Sequence, residues 1–590
     1  MKFSRELQCQ FLEDELRAQV DEFDKILKTS AKYMLLETGE LFVAQFLNFN
    51  ENGDMVLKFS NKRAIPRRRD YLYCMTLHQH LSDFHNWKDE TYGDIIKDKT
   101  NQSEVICLWH SPSKENNYTI AGFRGVDVLF ANWIKDVPGA ILILGPQKPP
   151  YEYLAHLQDV VRNEMSDSAS AVLDAEYNKI DYSPFLLTEK YDIPDFLLGQ
   201  LSLSSTLILQ GPPGTGKTYQ IANVCAKLAE QGYSILVTAL TNRALMEIAS
   251  KPSLQSLLKE SRVFKTKITY DEAKENKYLQ LEKSVSPKKG CIILSTFYIT
   301  SGVAADITSD SVFDYVIVDE ASQALFPMIA AAKCLGSKCV FVGDINQLPP
   351  VVELQGSKII SKGYKPLVEG LDTISNYSMV PSYQLSLSYR LTERAVKYTG
   401  IFNQDSLKTK SDLKILPQFG LPFLNEQGGP SLVLTDCTVG QLSPESEISI
   451  VGAIVKSIYD NDNNIDVAIL SCMKKTVKSL QKSITTIVGA KEKMLIETIA
   501  RVQGLTTDIC IVVIPYTNYL RQLEKRLFNV ATSRAKMHTI IVCDKDILSY
   551  SRMNPFVRTY LGGLIEHSYY IPWDNNGIKK LKGSDILSLP

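Results

Sequence analysis

The stretch that most constrains this chain is Gly211-Pro-Pro-Gly-Thr-Gly-Lys-Thr218. An apolar run, Leu207-Ile208-Leu209, precedes it, and a helix-like stretch follows through Leu228. Strand, glycine-rich loop and helix in that order make a phosphate cradle. Gly211, Gly214 and Gly216, interleaved with Pro212, Pro213 and Thr215, let backbone N–H groups turn inward at a helix N-terminus that carries partial positive charge. Lys217 can then reach the β- and γ-phosphates of a nucleoside triphosphate, and the Thr218 hydroxyl can ligate Mg²⁺.

At 590 residues the chain is too long for one hydrophobic core and should divide into several domains. No apolar run approaches the roughly 18–20 residues of a membrane span, and Met1-Lys2-Phe3-Ser4-Arg5-Glu6 lacks the apolar core of a secretory signal. The expectation is a cytoplasmic protein without membrane partners. Net charge is −1, so nucleic-acid binding would need local basic surface. The 11 cysteines contain no CxxC pair and there are only seven histidines, which argues against a zinc module and a disulfide framework.

Apolar residues at helical spacing run from Leu7 to Leu27, and a second helix is expected from Tyr151 to about Met165. Between them lie strand candidates at Tyr33–Glu37, Leu41–Phe46, Asp54–Phe59, Glu104–Trp109, Tyr118–Phe123 and Ala140–Leu144, with Glu51-Asn-Gly-Asp54 as a hairpin turn. Small barrels use strands of this length and spacing. From about residue 200 strands alternate with helices, the pattern of a parallel α/β sheet, and a second such series follows residue 380.

Tyr315-Val-Ile-Val-Asp-Glu320 gives a buried strand with acids at its C-terminal end, where α/β sheets hold ligands. Asp319 would hold Mg²⁺ through water, and Glu320 would orient or deprotonate the attacking water. Strand alternation would point the two carboxylates in different directions. Phe341-Val-Gly-Asp-Ile-Asn-Gln-Leu-Pro-Pro350 adds another strand and a polar turn from which Gln347 could reach a γ-phosphate.

These residues, with Asp319-Glu-Ala-Ser-Gln323, resemble motifs I, II and III of superfamily 1 helicases, most of all the Upf-like branch of superfamily 1B. Leu240-Thr-Asn-Arg-Ala-Leu-Met-Glu-Ile248 resembles motif Ia and Leu294-Ser-Thr296 motif Ib. Leu385-Ser-Leu-Ser-Tyr-Arg390 resembles the Tyr-Arg motif at the domain junction. Thr498–Asp508 is similar to motif V and Phe528–Lys536 to motif VI, so the likeness spans about residues 200–545. It implies two tandem RecA-like P-loop domains, here 191–380 and 381–590. A stalk helix (1–30), a β-barrel-like domain (31–148) and a return helix with linker (149–190) would come before them.

By the same resemblance Arg390 and Arg534 are arginine fingers, whose planar forks suit phosphate oxygens. Tyr389 stacks on adenine, and Gln503 and Gly504 join the nucleotide site. Thr241, Asn242, Thr296 and Thr506 touch a nucleic-acid backbone, with Cys472-Met-Lys-Lys475 as a weaker candidate. Arg67, Arg68 and Arg69, in a basic run beside Tyr71 and Tyr73, offer phosphate binding with base stacking; a solvated basic loop reads equally well. The expected cofactors are ATP and Mg²⁺, and the expected partner is single-stranded RNA or DNA.

Three departures stand out. Thr506 replaces the glutamate usual in Upf-like motif V. No glutamine motif that reads adenine lies upstream of residue 207, since Gln200 is too close to the strand. A cysteine/histidine-rich zinc module is lacking. The leading expectation is a 5′→3′ helicase that couples ATP hydrolysis to translocation. The alternatives are an ATP-gated scaffold within a multi-subunit complex and a P-loop ATPase unrelated to nucleic acid.

Overall fold

The computed structural model describes residues 3–573 apart from 77–89, 98–100, 113–116, 164–165, 179–182, 308–311, 412–414, 438–439, 490, 492, 516–522 and 551. Met165, the expected end of the second long helix, falls outside the described residues, and that helix is observed at Glu152–Arg162.

The N-terminal helix Arg5–Leu27 begins at Ser4, whose hydroxyl accepts from Leu7 N–H at 3.1 Å. Its Phe11 and Leu12 pack with Leu154 and Leu157 of Glu152–Arg162 into the core of the first motor domain. Buried Glu15 ties the helix to that domain by accepting N–H bonds from Glu353 (2.9 Å) and Leu354 (3.1 Å).

Six strands then close a barrel: β1 Phe42–Phe49, β2 Met55–Ser60, β3 Tyr71–Thr76, β4 Gln102–Pro112, β5 Tyr118–Arg124 and β6 Ile141–Pro146, in the order β1-β2-β5-β4-β3-β6. Closure removes the unpaired edges that an open sheet would leave. Phe46, Leu57, Phe59 and Phe123 fill the interior, each contributing about 1.5–3 kcal/mol through burial. Tyr33–Glu37 is not a strand: helix Ala31–Tyr33 runs into a wide turn Met34–Thr38 that ends at left-handed Gly39. Met34 and Leu35 are buried against the barrel wall, so tertiary packing overrides the apolar run that suggested a strand.

The first motor sheet has nine strands: β7 Phe185–Leu187, β8 Thr206–Gln210, β9 Ile235–Ala239, β10 Val263–Lys265, β11 Gln280–Leu281, β12 Ile292–Thr296, β13 Phe313–Val318, β14 Gly336–Gly343 and β15 Ser382–Leu385. Their order is β11-β10-β12-β9-β13-β14-β8-β15-β7, and every recorded pairing is parallel. β15 pairs with β8 and β7 with β15, so this sheet reaches beyond both expected limits, 191 and 380. These short edge strands carry too little periodicity to be assigned from sequence.

A two-stranded bridge, β16 Leu387–Ser388 and β17 Lys408–Thr409, leads to the second sheet. That sheet comprises β18 Gly429–Thr435, β19 Val467–Ser471, β20 Met494–Thr498, β21 Thr507–Ile514, β22 Ala535–Asp544 and β23 Tyr569–Ile571, ordered β20-β19-β21-β22-β18-β23. The fold is therefore α/β, with two RecA-like domains behind a helical segment and a small closed barrel. No described helix is long and apolar enough to cross a membrane.

Glu447, in the helix below β18 and β22, is fully buried and accepts from the Cys437 thiol at 3.3 Å. Burial, with Asp544 nearby, pushes its carboxyl up to about 8. The unfolded carboxyl ionises near ~4.3, so this group's contribution to stability is full below that pH and is lost as pH rises through about 8. Glu447→Gln keeps the neutral shape and removes the dependence. Its Tm relative to the parent should rise by on the order of 5 °C between pH 5 and pH 9. A pH-independent difference in thermal melts would contradict this.

Candidate active site

Gly211–Thr218 links β8 to the helix Lys217–Glu230. Gly211 N–H donates to Gly343 O at 2.9 Å, fixing the loop to the end of β14. Gly214 (φ 78°) and Gly216 (φ 76°) occupy the left-handed region, which residues with a Cβ rarely enter. A Cβ on Gly211 would lie 2.4 Å from Lys217 Cγ, and one on Gly214 would lie 2.6 Å from Arg390 Cβ. Thr215 N–H (3.3 Å) and Oγ1 (2.8 Å) both donate to Pro212 O, while Pro213 O accepts from Ser388 Oγ at 3.4 Å. The Lys217 ammonium rests on Gly211 O.

β13 ends at Val318, so strand alternation does not separate the two acids as expected. Glu320 instead adopts a left-handed conformation (φ 52°), and its N–H donates to Asp319 Oδ1 at 2.9 Å. Such strain is held by surrounding structure and clusters at functional sites. Glu320 Oε1 reaches the second domain, 3.9 Å from where a Cβ on Gly504 would lie. Asp319 is 3% exposed, with the Thr218 side chain close to it. Burial pushes Asp319 up to about 6, against the pull of the Glu320 N–H, Lys217 and the Thr218 side chain. Burial, then Asp319, pushes Glu320 up to about 7.

The second half of the cleft arrives from the junction. Tyr389 N–H donates to Gly214 O at 2.8 Å, which sets Arg390 over the phosphate loop. The Arg390 guanidinium makes no hydrogen bond or ion pair with the described residues, and burial lowers its pKa. Arg534 is 2% exposed, with Nε on Val530 O (2.7 Å) and a second nitrogen on Leu505 O (3.3 Å). Burial, then repulsion from Arg390, pulls it down to about 9. Gln347 donates to Asp344 Oδ2 at 3.2 Å.

Five residues in this region went unassigned from the sequence. Arg526 pairs across the domains with Glu369 (2.9 Å) and Asp372 (3.0 Å) and donates to Ile345 O at 2.9 Å. Asn529 donates to Asn346 O at 2.9 Å. Asp344 receives Gln347, and Arg243 and Glu247 act electrostatically on Glu320. Arg526 and Asn529 lie near the segment resembling motif VI, which was the available signal.

Beside the phosphate loop is a cavity of about 580 Å³ lined by Leu187, Tyr191, Gln220, Asn223 and Tyr389 among others. The Tyr389 ring is 55% exposed there. Gln200 lies outside it and accepts from Tyr383 OH at 2.8 Å. Gln220 and Asn223 are polar groups in the wall that sequence reasoning overlooked.

The expected track residues sit on separate elements of the barrel and both motor domains. Thr241 caps the helix Asn242–Ala249 by accepting from Ala244 N–H at 3.2 Å, and Asn242 opens that helix. Thr296 is 7% exposed at the start of Phe297–Ala305. Thr506 precedes β21, just after Gln503 and Gly504 (φ 74°). Lys474 and Lys475 open the helix Lys474–Val488. Arg67 is exposed on the barrel, whereas Arg68 and Arg69 reach backbone carbonyls of the second motor domain.

Fold and site together define a P-loop ATPase of two RecA-like domains. AAA-domain family profiles match residues 198–353 and 377–546. Among curated proteins, DNA-binding protein SMUBP-2 of Mesocricetus auratus is 22% identical over 460 residues, covering 65% of this chain and 45% of that one. The DNA replication ATP-dependent helicase/nuclease DNA2 of Gallus gallus is 25% identical over 421 residues, covering 68% and 39%. The chain thus spans less than half the length of these relatives. A crystal structure of arterivirus nonstructural protein 10 (helicase) aligns over 83% of this chain and 76% of its own, at 12% identity and TM-score 0.36. The two profiles, one on each motor domain, together with these relatives support a place among the superfamily 1B helicases.

Gly214→Ala tests the phosphate loop. It places a methyl group 2.6 Å from Arg390 Cβ in a left-handed backbone. Titration with a fluorescent ATP analogue should show at least ~10-fold weaker binding with the melting temperature nearly unchanged. Parental affinity would contradict the placement.

Proposed function

We propose that this chain is a nucleic-acid-stimulated ATPase that moves along single-stranded RNA or DNA, 5′ to 3′, and unwinds duplexes ahead of it. The observation that carries this reading is that Lys217 rests on Gly211 O while Arg390, from the junction between the domains, lies against Gly214 of the same loop. Arg243 of the first domain acts electrostatically on Glu320, and Thr506 follows Gly504, where a Cβ would lie 3.9 Å from Glu320 Oε1.

Each side chain has a distinct task in this reading. Lys217 exchanges the Gly211 carbonyl for phosphate oxygens. Thr218 and Asp319, which lie close together, fit the role of Mg²⁺ holders, one by its hydroxyl and the other through water. The metal, when bound, neutralises β- and γ-oxygen charge. Glu320, at its left-handed turn, orients water and takes its proton. Gln347 and Asp344 form one polar pair that meets the γ-phosphate. Arg390 and Arg534 stabilise charge that develops in transfer, which requires the domains to be closed. Opening and closing then convert turnover into motion. Tyr389, at the wall of the neighbouring cavity, stacks on the base.

The track residues face a sugar-phosphate backbone, contacts that carry no sequence information. The family supports the polarity. The exchange of the motif V glutamate for Thr506 leaves RNA and DNA as equal candidates. An ATP-gated scaffold would use the same site, and the unwinding experiment separates the two readings.

Matched RNA and DNA duplexes with 5′ or 3′ overhangs decide substrate, polarity and motor activity together. Unwinding from 5′ overhangs with ATP is expected; strand binding and ATP turnover without unwinding would favour the scaffold. Glu320→Gln should retain nucleotide binding and lose about 10²-fold or more in turnover. Parental turnover in that variant would overturn the assignment of the base.

A further inference from the structure

The basic run at 61–69 does more than decorate the barrel surface. Between β2 and β3 the chain forms a rigid tip. Arg67 N–H donates to Asp70 Oδ2 (2.8 Å), Asp70 N–H to Arg67 O (3.1 Å), and Cys107 N–H to Asp70 O (3.0 Å). Arg69 is held in a left-handed conformation (φ 68°), and its N–H donates to Cys107 O at 2.6 Å. Arg68 Nε is fixed on Leu108 O at 2.7 Å.

From this tip three side chains reach the second motor domain. Arg68 donates to Met494 O (3.2 Å) and Arg69 to Arg501 O (3.4 Å). Buried Asp70 accepts from the Arg501 guanidinium at 3.1 Å, and Arg501 also pairs with Glu497 at 3.1 Å. The segment so gripped, Met494 to Arg501, runs directly into Gln503, Gly504 and Thr506.

The other side of the barrel is fastened to the first motor domain. Gly125 N–H donates to Asp271 (2.9 Å), Lys267 pairs with Glu104 (3.1 Å) and Arg124 with Glu275 (2.6 Å). The two motor domains are joined in turn through Arg526, Asn529 and Tyr389. Three interfaces therefore close a ring of three bodies. The tip lies near the start of the motif Ia helix: burial, then the neighbouring Arg243 guanidinium, pulls Arg69 down to about 10. Two repelling guanidiniums, one on the barrel and one on the first motor domain, favour an anion beside them.

We propose that the Arg67–Asp70 tip is a clasp that closes the barrel onto the second motor domain and encloses a single nucleic-acid strand lying over Thr241–Arg243 and Thr506. This rests on the nucleic-acid reading above. The Arg501 side chain is 46% exposed, so its ion pairs are screened and can break and reform. A strand enters by threading an end or by opening of the clasp, and once inside it is retained by topology as well as by affinity.

Dissociation of the full chain from single-stranded DNA and RNA of one sequence tests the clasp, comparing oligonucleotides with free ends against the same oligonucleotides with both ends blocked by biotin–streptavidin. For the unaltered protein, blocked ends should slow dissociation about fivefold or more. Asp70→Arg and Arg501→Asp should each remove this difference, and the two combined, which swap the charges of the pair, should restore it. Asp70→Asn, which keeps the side chain's shape, should behave like Asp70→Arg, and melting curves report whether each variant is folded. Tight binding with no effect of blocked ends would overturn the clasp while leaving the motor reading intact. So would single variants that keep the full end effect. Failure of the unaltered protein to bind any single strand would overturn the motor reading and the clasp with it.

Discussion

Lys217, Arg390 and Arg534 face one another around the phosphate loop, and protein surrounds each of them closely enough that burial is the first cause lowering its pKa. Their mutual repulsion adds to that, because Arg390 and Arg534 both depress Lys217, and Arg390 depresses Arg534. The chain offsets this with local carbonyls, from Gly211 for the lysine and from Val530 and Leu505 for Arg534. Asp319, Glu320 and Asp344 supply opposite charge in the same cleft, and desolvation pushes the first two upward. A cleft charged in both senses and poorly solvated suits a polyphosphate with its divalent cation, and the rest of the architecture keeps the cleft in register.

That register depends on separate hydrophobic cores. Helices on the two faces of the first motor sheet bury distinct clusters, and the second sheet repeats the plan. Each half is rigid by itself, so relative motion concentrates at polar contacts between the halves: Arg526 with Glu369 and Asp372, Asn529 with Asn346 O, and Tyr389 with Gly214 O. Polar interfaces of this kind remake at modest cost. The helix Arg5–Leu27 belongs energetically to the first motor domain, since Phe11, Leu12 and Glu15 are all buried on it. The barrel is carried by that body, and among the described residues its hydrogen bonds and ion pairs to the second motor domain come from Arg68, Arg69 and Asp70.

Much of this was legible in the sequence because the chemistry of phosphate handling permits few alternatives. A loop with left-handed Gly214 and Gly216 reads as itself, and so does a four-residue apolar strand ending in acids. Most core strands of both motor sheets match their apolar runs to within a few residues. Features set by tertiary contact were not legible. Ser382–Leu385 joins the first sheet by pairing with β8, which no local pattern announces. Met34–Thr38 has strand-like composition and becomes a turn because the barrel wall takes up Met34 and Leu35. Asp319 and Glu320 follow the strand end, the second as a left-handed residue, where sequence suggested strand alternation. Arg68 and Arg69 looked suited to free phosphate groups, yet in this state they bond to Met494 and Arg501 carbonyls. Arg526 carries no signal of its own in the sequence, since its role comes from Glu369 and Asp372, which pair with it across the domains.

In the proposed reading the ATP site is complete only when groups from the junction close onto the first domain. Single-turnover hydrolysis by an Arg390→Ala variant, set beside its ATP affinity, is the decisive measurement. If Arg390 acts mainly on charge that develops in transfer, turnover falls by about 10²-fold or more while affinity changes only severalfold. Turnover equal to the parent's at saturating ATP would contradict that reading and leave the phosphate loop as the site of a single domain.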